Sequence, residues 1–94
     1  MNFVQKEPLA GEMELIGARL NQARLTANLA LQDIADHTKI SLRFLSAIEN
    51  DDFSALPGRV YILGYTRAFA RAVSLDEESV LAALREKMEL AGIN

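Results

Sequence analysis

Ninety-four residues, half of them hydrophobic and only seven of them Pro or Gly, are the size of one domain. The lack of cysteine excludes disulfides and thiolate metal sites, and no run of about 18 apolar residues offers a membrane span. Thirteen acids against ten Lys and Arg give a net charge of -3, so a nucleic-acid surface would need a strongly uneven distribution of charge.

The opening "MNFVQKEPLAGE" lacks the basic-then-apolar order of a signal peptide. Residues 1–11 read as a flexible N-terminal arm ending at Pro8 and Gly11, with Phe3 and Val4 as apolar members that either pack on the domain or have no role. The domain itself reads as 12–92. A first helix is predicted over about 12–28, because Leu15, Ile16, Leu20, Ala23 and Ala27 recur on one helical face. A second is predicted over 31–37, with Ile34 and Ala35 inward. A third is predicted over 41–50, capped by Ser41, with Leu42, Leu45 and Ile48 as its apolar side. "NDDFSALPG" breaks the pattern with turn residues around two apolar anchors, Phe53 and Leu56. Pro57 and Gly58 open a fourth helix over 58–73. Ser74 or Asp76 caps a fifth over 76–91, with acids in its first turn, with Val80, Leu81, Leu84 and Met88 on one face, and with Gly92 at its end. There is no strand signal. The fold class is all-α, with five helices around one core.

The second and third helices carry the most specific pattern, "LALQDIADHTKISLRFLSAIENDDF". The small Ala35 lets two helices cross closely, Ile40 plugs the turn, and Ser41 caps the second of the pair. This resembles the repressor-type (XRE-like) helix-turn-helix, in which that second helix enters the major groove of DNA. With the fourth helix included, "TKISLRFLSAIENDDFSALPGRVYILGYTRAFARAVSLDEE" resembles the cytoplasmic N-terminal domain of the RodZ family of bacterial cell-shape proteins. The resemblance covers roughly Leu15 to Leu84. It implies a non-catalytic cytoplasmic adaptor that binds the actin-like MreB filament through aromatic residues of the fourth helix, here Tyr61 and Tyr65. It also implies a linker and a membrane anchor beyond residue 94, tethering the protein to the inner membrane.

The residues of "GRVYILGYTRAFARAV" support a three-sided reading of that helix. It holds no acid. Ile62, Thr66, Phe69, Ala70 and Val73 share a core stripe, and Arg67 and Arg71 share a second side with Gly64. Tyr61 and Tyr65 share a third, roughly 100–140° from the middle of the core stripe. Two tyrosines among alanines suit a protein interface, with Arg59, Arg67 and Arg71 supplying charge. The alternative is that both rings pack over the helix-turn-helix.

A repressor would instead read DNA with Lys39, Ser41, Leu42, Arg43 and Ser46, of which only Arg43 is a strong reader of guanine. Ala30 and Leu31 stand where a phosphate contact is expected, and Gln32 is one position late. Glu49, Asp51 and Asp52 would repel a duplex if they faced it. His37 is the sole histidine and reads as a helix-end residue rather than a metal ligand. No glycine-rich phosphate loop and no nucleophile–base motif is present, so neither an enzyme nor a cofactor is expected.

Overall fold

The computed structural model describes residues 15–93, and the expectations for the arm 1–11 and for residues 12–14 lie outside them. Five α-helices follow in order: α1 (Ile16–Thr26), α2 (Leu31–Thr38), α3 (Leu42–Glu49), α4 (Arg59–Ala72) and α5 (Glu77–Ala91). A short 3-10 turn, Phe53–Ala55, lies between α3 and α4. No strand occurs among the described residues.

Local chemistry sets the boundaries. Ser41 Oγ accepts the Phe44 N–H and so caps α3, while Asp76 Oδ2, rather than Ser74, accepts the Ser79 N–H and caps α5. Ser74 instead takes the left-handed conformation that ends α4, as Asn28 does after α1 and Lys39 after α2. Gly92 ends α5 in the same way, with φ 74° and no Cβ to oppose it.

The core forms where the apolar faces meet. Ile16 and Leu20 of α1, Ile34 of α2, Leu45 and Ile48 of α3, and Ile62 and Phe69 of α4 are buried together. Val80, Leu81, Leu84 and Met88 of α5 complete the cluster. Phe53 and Leu56 anchor the connection between α3 and α4 in the same core. α4 packs against α2, α3 and α5, and α1 packs against α3 and α5. Every residue of the expected α4 stripe is buried.

Three expectations for inward residues need correction. Leu15 is half exposed because it is the N-cap residue of α1, before the helical face begins. Ala27 is exposed at the C-cap of the same helix. Leu42 is 44 % exposed: at 100° per residue it lies about 120° from Ile48, whereas Phe44 lies about 40° from Ile48 and packs on the core.

Gly17 is buried where α1 meets the end of α3. A Cβ there would lie 2.2 Å from the Glu49 carbonyl oxygen. This close approach is reinforced by side chains. The Arg24 guanidinium donates to both carboxylate oxygens of Glu49, at 2.6 and 3.2 Å, and to the Leu29 carbonyl at 2.9 Å. Asn21 adds a 3.2 Å bond to the same carboxylate. The hydrogen bond to Glu49 raises the Arg24 pKa further above its ordinary value. Asp51, left-handed at φ 55°, accepts the Gly17 N–H and so caps α1 from across the fold. Its other oxygen lies 2.7 Å from Lys87 Nζ on α5. One carboxylate thus ties together the start of α1, the end of α3 and the last helix.

Candidate functional site

The tyrosine side of α4 meets α3 through aromatic rings. Tyr65 stacks on Phe44, with ring centroids 5.8 Å apart and planes at 29°. Tyr61 meets Tyr65 edge-on, at 5.6 Å and 63°. The Arg43 guanidinium carbon lies 5.1 Å from the centre of the Phe44 ring. Arg43, Phe44, Tyr65 and Tyr61 thus form a continuous ladder from the first turn of α3 to the first turn of α4.

Burial changes along this ladder. Phe44 and Tyr65 are half-buried against the core, while Tyr61 is 47 % exposed. The two tyrosines differ in their surroundings. Tyr65 packs over the helix-turn-helix, and Tyr61 presents its ring to solvent. Two tyrosines in contact present ring area at low entropic cost. Farther along α4, Ala68 and Ala72 face His37 and Thr38 across a shallow cleft, so α2 closes that end.

The arginines named with the tyrosines are not gathered beside them. Glu77 at the start of α5 binds Arg71 through Nε and Nη2, at 2.8 and 3.0 Å, and binds Arg67 at 3.3 Å. Glu78 adds a 3.8 Å contact to Arg67. The hydrogen bond from Arg71, assisted by Arg67, holds the Glu77 carboxyl below its ordinary range. This clamp joins α4 to α5. Arg59, in the first turn of α4, lies about 160° around the helix from Tyr61. Gly64 is exposed, and nothing beyond its chain neighbours and the surrounding backbone of its own helix lies within 4 Å of where its Cβ would be.

Of the residues expected to read DNA, Lys39, Ser41, Leu42 and Arg43 are exposed and Ser46 is half-buried. Ser41 is occupied as a cap. Gln32 donates to Asp36 of its own helix at 2.9 Å, and Asp33 accepts the Ala30 N–H at 2.7 Å. Glu49 and Asp51, expected as repelling charges, are drawn into the contacts with Arg24, Gly17 and Lys87, while Asp52 remains exposed. His37 is exposed, and no group of three or more His, Asp or Glu side chains is placed to hold a metal among the described residues.

Phe44 is the contributor that sequence reading missed. Its position between Ala47 and Ile48 on the helical wheel was the available signal. No described helix is long and apolar enough to cross a membrane.

Residues 19–80 match the family described as "Helix-turn-helix domain". Among curated proteins, the chain is 40% identical over 68 residues to "Cytoskeleton protein RodZ" of Streptococcus pneumoniae, an alignment covering 72% of this chain and 25% of that protein. It is 33% identical over 52 residues to "Uncharacterized membrane protein YmfM" of Bacillus subtilis, covering 55% of this chain and 18% of that one. The chain therefore spans a quarter or less of the length of these relatives. No solved structure matches it. With the family match running from α1 into α5 and the RodZ relative aligned over most of the chain, the protein belongs to the helix-turn-helix domain family as a RodZ-like member.

Proposed function

We propose that this domain is a non-catalytic cytoplasmic adaptor in a bacterial cell-shape assembly, and that the aromatic side of α4 holds the actin-like MreB filament. The observation that carries this reading is the exposed ring of Tyr61 braced by Tyr65, which is itself stacked on Phe44. A braced ring keeps its orientation before binding, so less freedom is lost when a partner covers it. Likeness to a protein named for the cytoskeleton supports the partner class. Likeness to a protein named for the membrane supports a tether to the inner membrane in sequence beyond residue 94.

The test is co-sedimentation with polymerised MreB from the same organism. Tyr61→Ala is a cleaner probe than a double variant, because Tyr65 also supports the packing of α3 on α4. The reading expects wild type to pellet and Tyr61→Ala to stay in solution while melting like wild type. A wild-type domain that remains in the supernatant would sink it.

Two observations favour a second reading, sequence-specific DNA binding in the manner of an XRE-type regulator. Glu49 and Asp51 are neutralised inside the fold, and Arg43 is exposed at the start of α3. That reading expects salt-dependent binding to duplex DNA that Arg43→Ala weakens.

A further inference from the structure

We propose that the docking surface spans α3 as well as α4, and that Arg43, seated on Phe44, is its charged element, selecting a partner surface that sets a carboxylate beside an apolar side chain. This rests on the adaptor reading above and adds to it a residue class and a partner chemistry.

Arg24, Arg67, Arg71 and Lys87 each face a carboxylate of another helix or connection. Arg43 has no carboxylate partner among the described residues; its contact is the face of an aromatic ring. A guanidinium held against a ring face by cation–π attraction still has N–H groups to donate to other acceptors. It can then accept a carboxylate in the two-pronged manner while the stack persists. The ring also restricts the side chain, so little rotamer freedom remains to be lost on binding.

Continuity supplies the second half. Phe44 joins Arg43 to Tyr65, and Tyr65 joins it to Tyr61, so charge and exposed aromatic surface belong to one rigid unit. A partner using the whole ladder must offer an apolar group to Tyr61 and an acid to Arg43. A nucleic-acid backbone would satisfy only the arginine and leave the exposed Tyr61 ring without an apolar partner.

The experiment is filament co-sedimentation with polymerised MreB, at low and at raised salt. Wild type is compared with Arg43→Glu, Arg43→Lys, Phe44→Leu and the charge-matched control Arg85→Glu on the exposed side of α5. All are first checked by thermal melting. Arg43→Glu is expected to weaken binding by at least about tenfold, and Arg43→Lys by several-fold, since lysine keeps the charge but loses the planar stack. Phe44→Leu should weaken binding and also flatten its salt dependence, because the arginine loses its seat. Arg85→Glu should bind within about twofold of wild type, as a remote exposed charge changes only long-range attraction. If Arg43→Glu pellets like wild type while Tyr61→Ala does not, this inference is wrong and the adaptor reading stands. If Arg43→Glu abolishes binding to duplex DNA and leaves pelleting unchanged, the arginine serves nucleic acid and the inference is likewise overturned. If wild type never pellets, both fall.

Discussion

Two helical glycines respond in opposite directions to the same substitution. At Gly17 an added methyl group would stand 2.2 Å from the Glu49 carbonyl oxygen and 2.5 Å from the Ile48 carbonyl oxygen. Both are main-chain atoms, so no rotamer change relieves the clash, and α1 must withdraw by about 1 Å to reach ordinary contact. That shift pulls the Gly17 N–H from Asp51 and Arg24 from Glu49. Overpacking costs about 1–3 kcal/mol, and the lost cap about 1 more. The better helix propensity of alanine returns at most about 1. The net is a loss of about 1–3 kcal/mol, which in a domain of this size lowers Tm by about 4–24 °C. At Gly64, exposed in the middle of α4, nothing beyond its chain neighbours and the surrounding backbone of its own helix lies within 4 Å of the added Cβ. There only propensity acts, and Gly64→Ala should gain about 0.5–1 kcal/mol. Thermal melts followed by circular dichroism read both. A Gly17→Ala domain that melts as high as wild type would refute the close crossing of α1 and α3.

Thr66 is fully buried in α4, and its hydroxyl has no hydrogen-bond partner, so Thr66→Val should raise stability by about 1 kcal/mol in a urea titration. Asp51→Ala removes the cap of α1 and leaves Lys87 without this carboxylate, and should lower stability by about 2 kcal/mol in the same assay. The Glu77 carboxyl is held below its ordinary value of 4.5, chiefly by the hydrogen bond from Arg71. A carboxyl lowered in the folded state stabilises above its unfolded pKa and loses that contribution as pH falls through the folded one. Urea midpoints of wild type should therefore fall more steeply than those of Glu77→Gln as pH is lowered below about 4.5, the unfolded value, and parallel curves would remove Glu77 from the acid response.

The order of helices was legible because α2 to α5 are amphipathic at a helical period, and because Ser41, Asp76 and Gly92 are strong local signals. Helix ends shifted by a residue or two where Asn28, Lys39 and Ser74 adopt positive φ, a choice imposed by packing rather than by a glycine in the sequence. The tyrosine side of α4 was legible from its wheel alone. Its neighbour was not, because a helical wheel cannot say which helix lies across from it. Phe44 became part of the surface only through the crossing of α3 and α4, and Leu42 was placed inward by a spacing that Phe44 satisfies better. The charges show the same limit. Arg67 and Arg71 look like free cations on an acid-free helix, yet Glu77 reaches both across the α4–α5 turn. Asp51 looks like a loop charge and turns out to be the cap of a helix more than thirty residues earlier.

That redistribution of charge bears on how a helix-turn-helix can serve two kinds of partner. A repressor lays the first helix of the pair across the phosphate backbone and the second in the groove. In this chain the first helix spends its polar residues on itself: Asp33 on its own N-terminus and Gln32 on Asp36. The second helix keeps an exposed arginine but sets it on an aromatic ring that continues into α4. The phosphate-facing half of the motif is thereby weakened, while the base-facing half is joined to an aromatic surface beyond the motif. Weak phosphate contact removes the salt-dependent attraction that supplies most non-specific DNA affinity. An arginine braced by rings retains its reach for a planar acceptor. On the adaptor reading proposed above, a helix pair altered in this way would favour a carboxylate framed by apolar groups over a duplex.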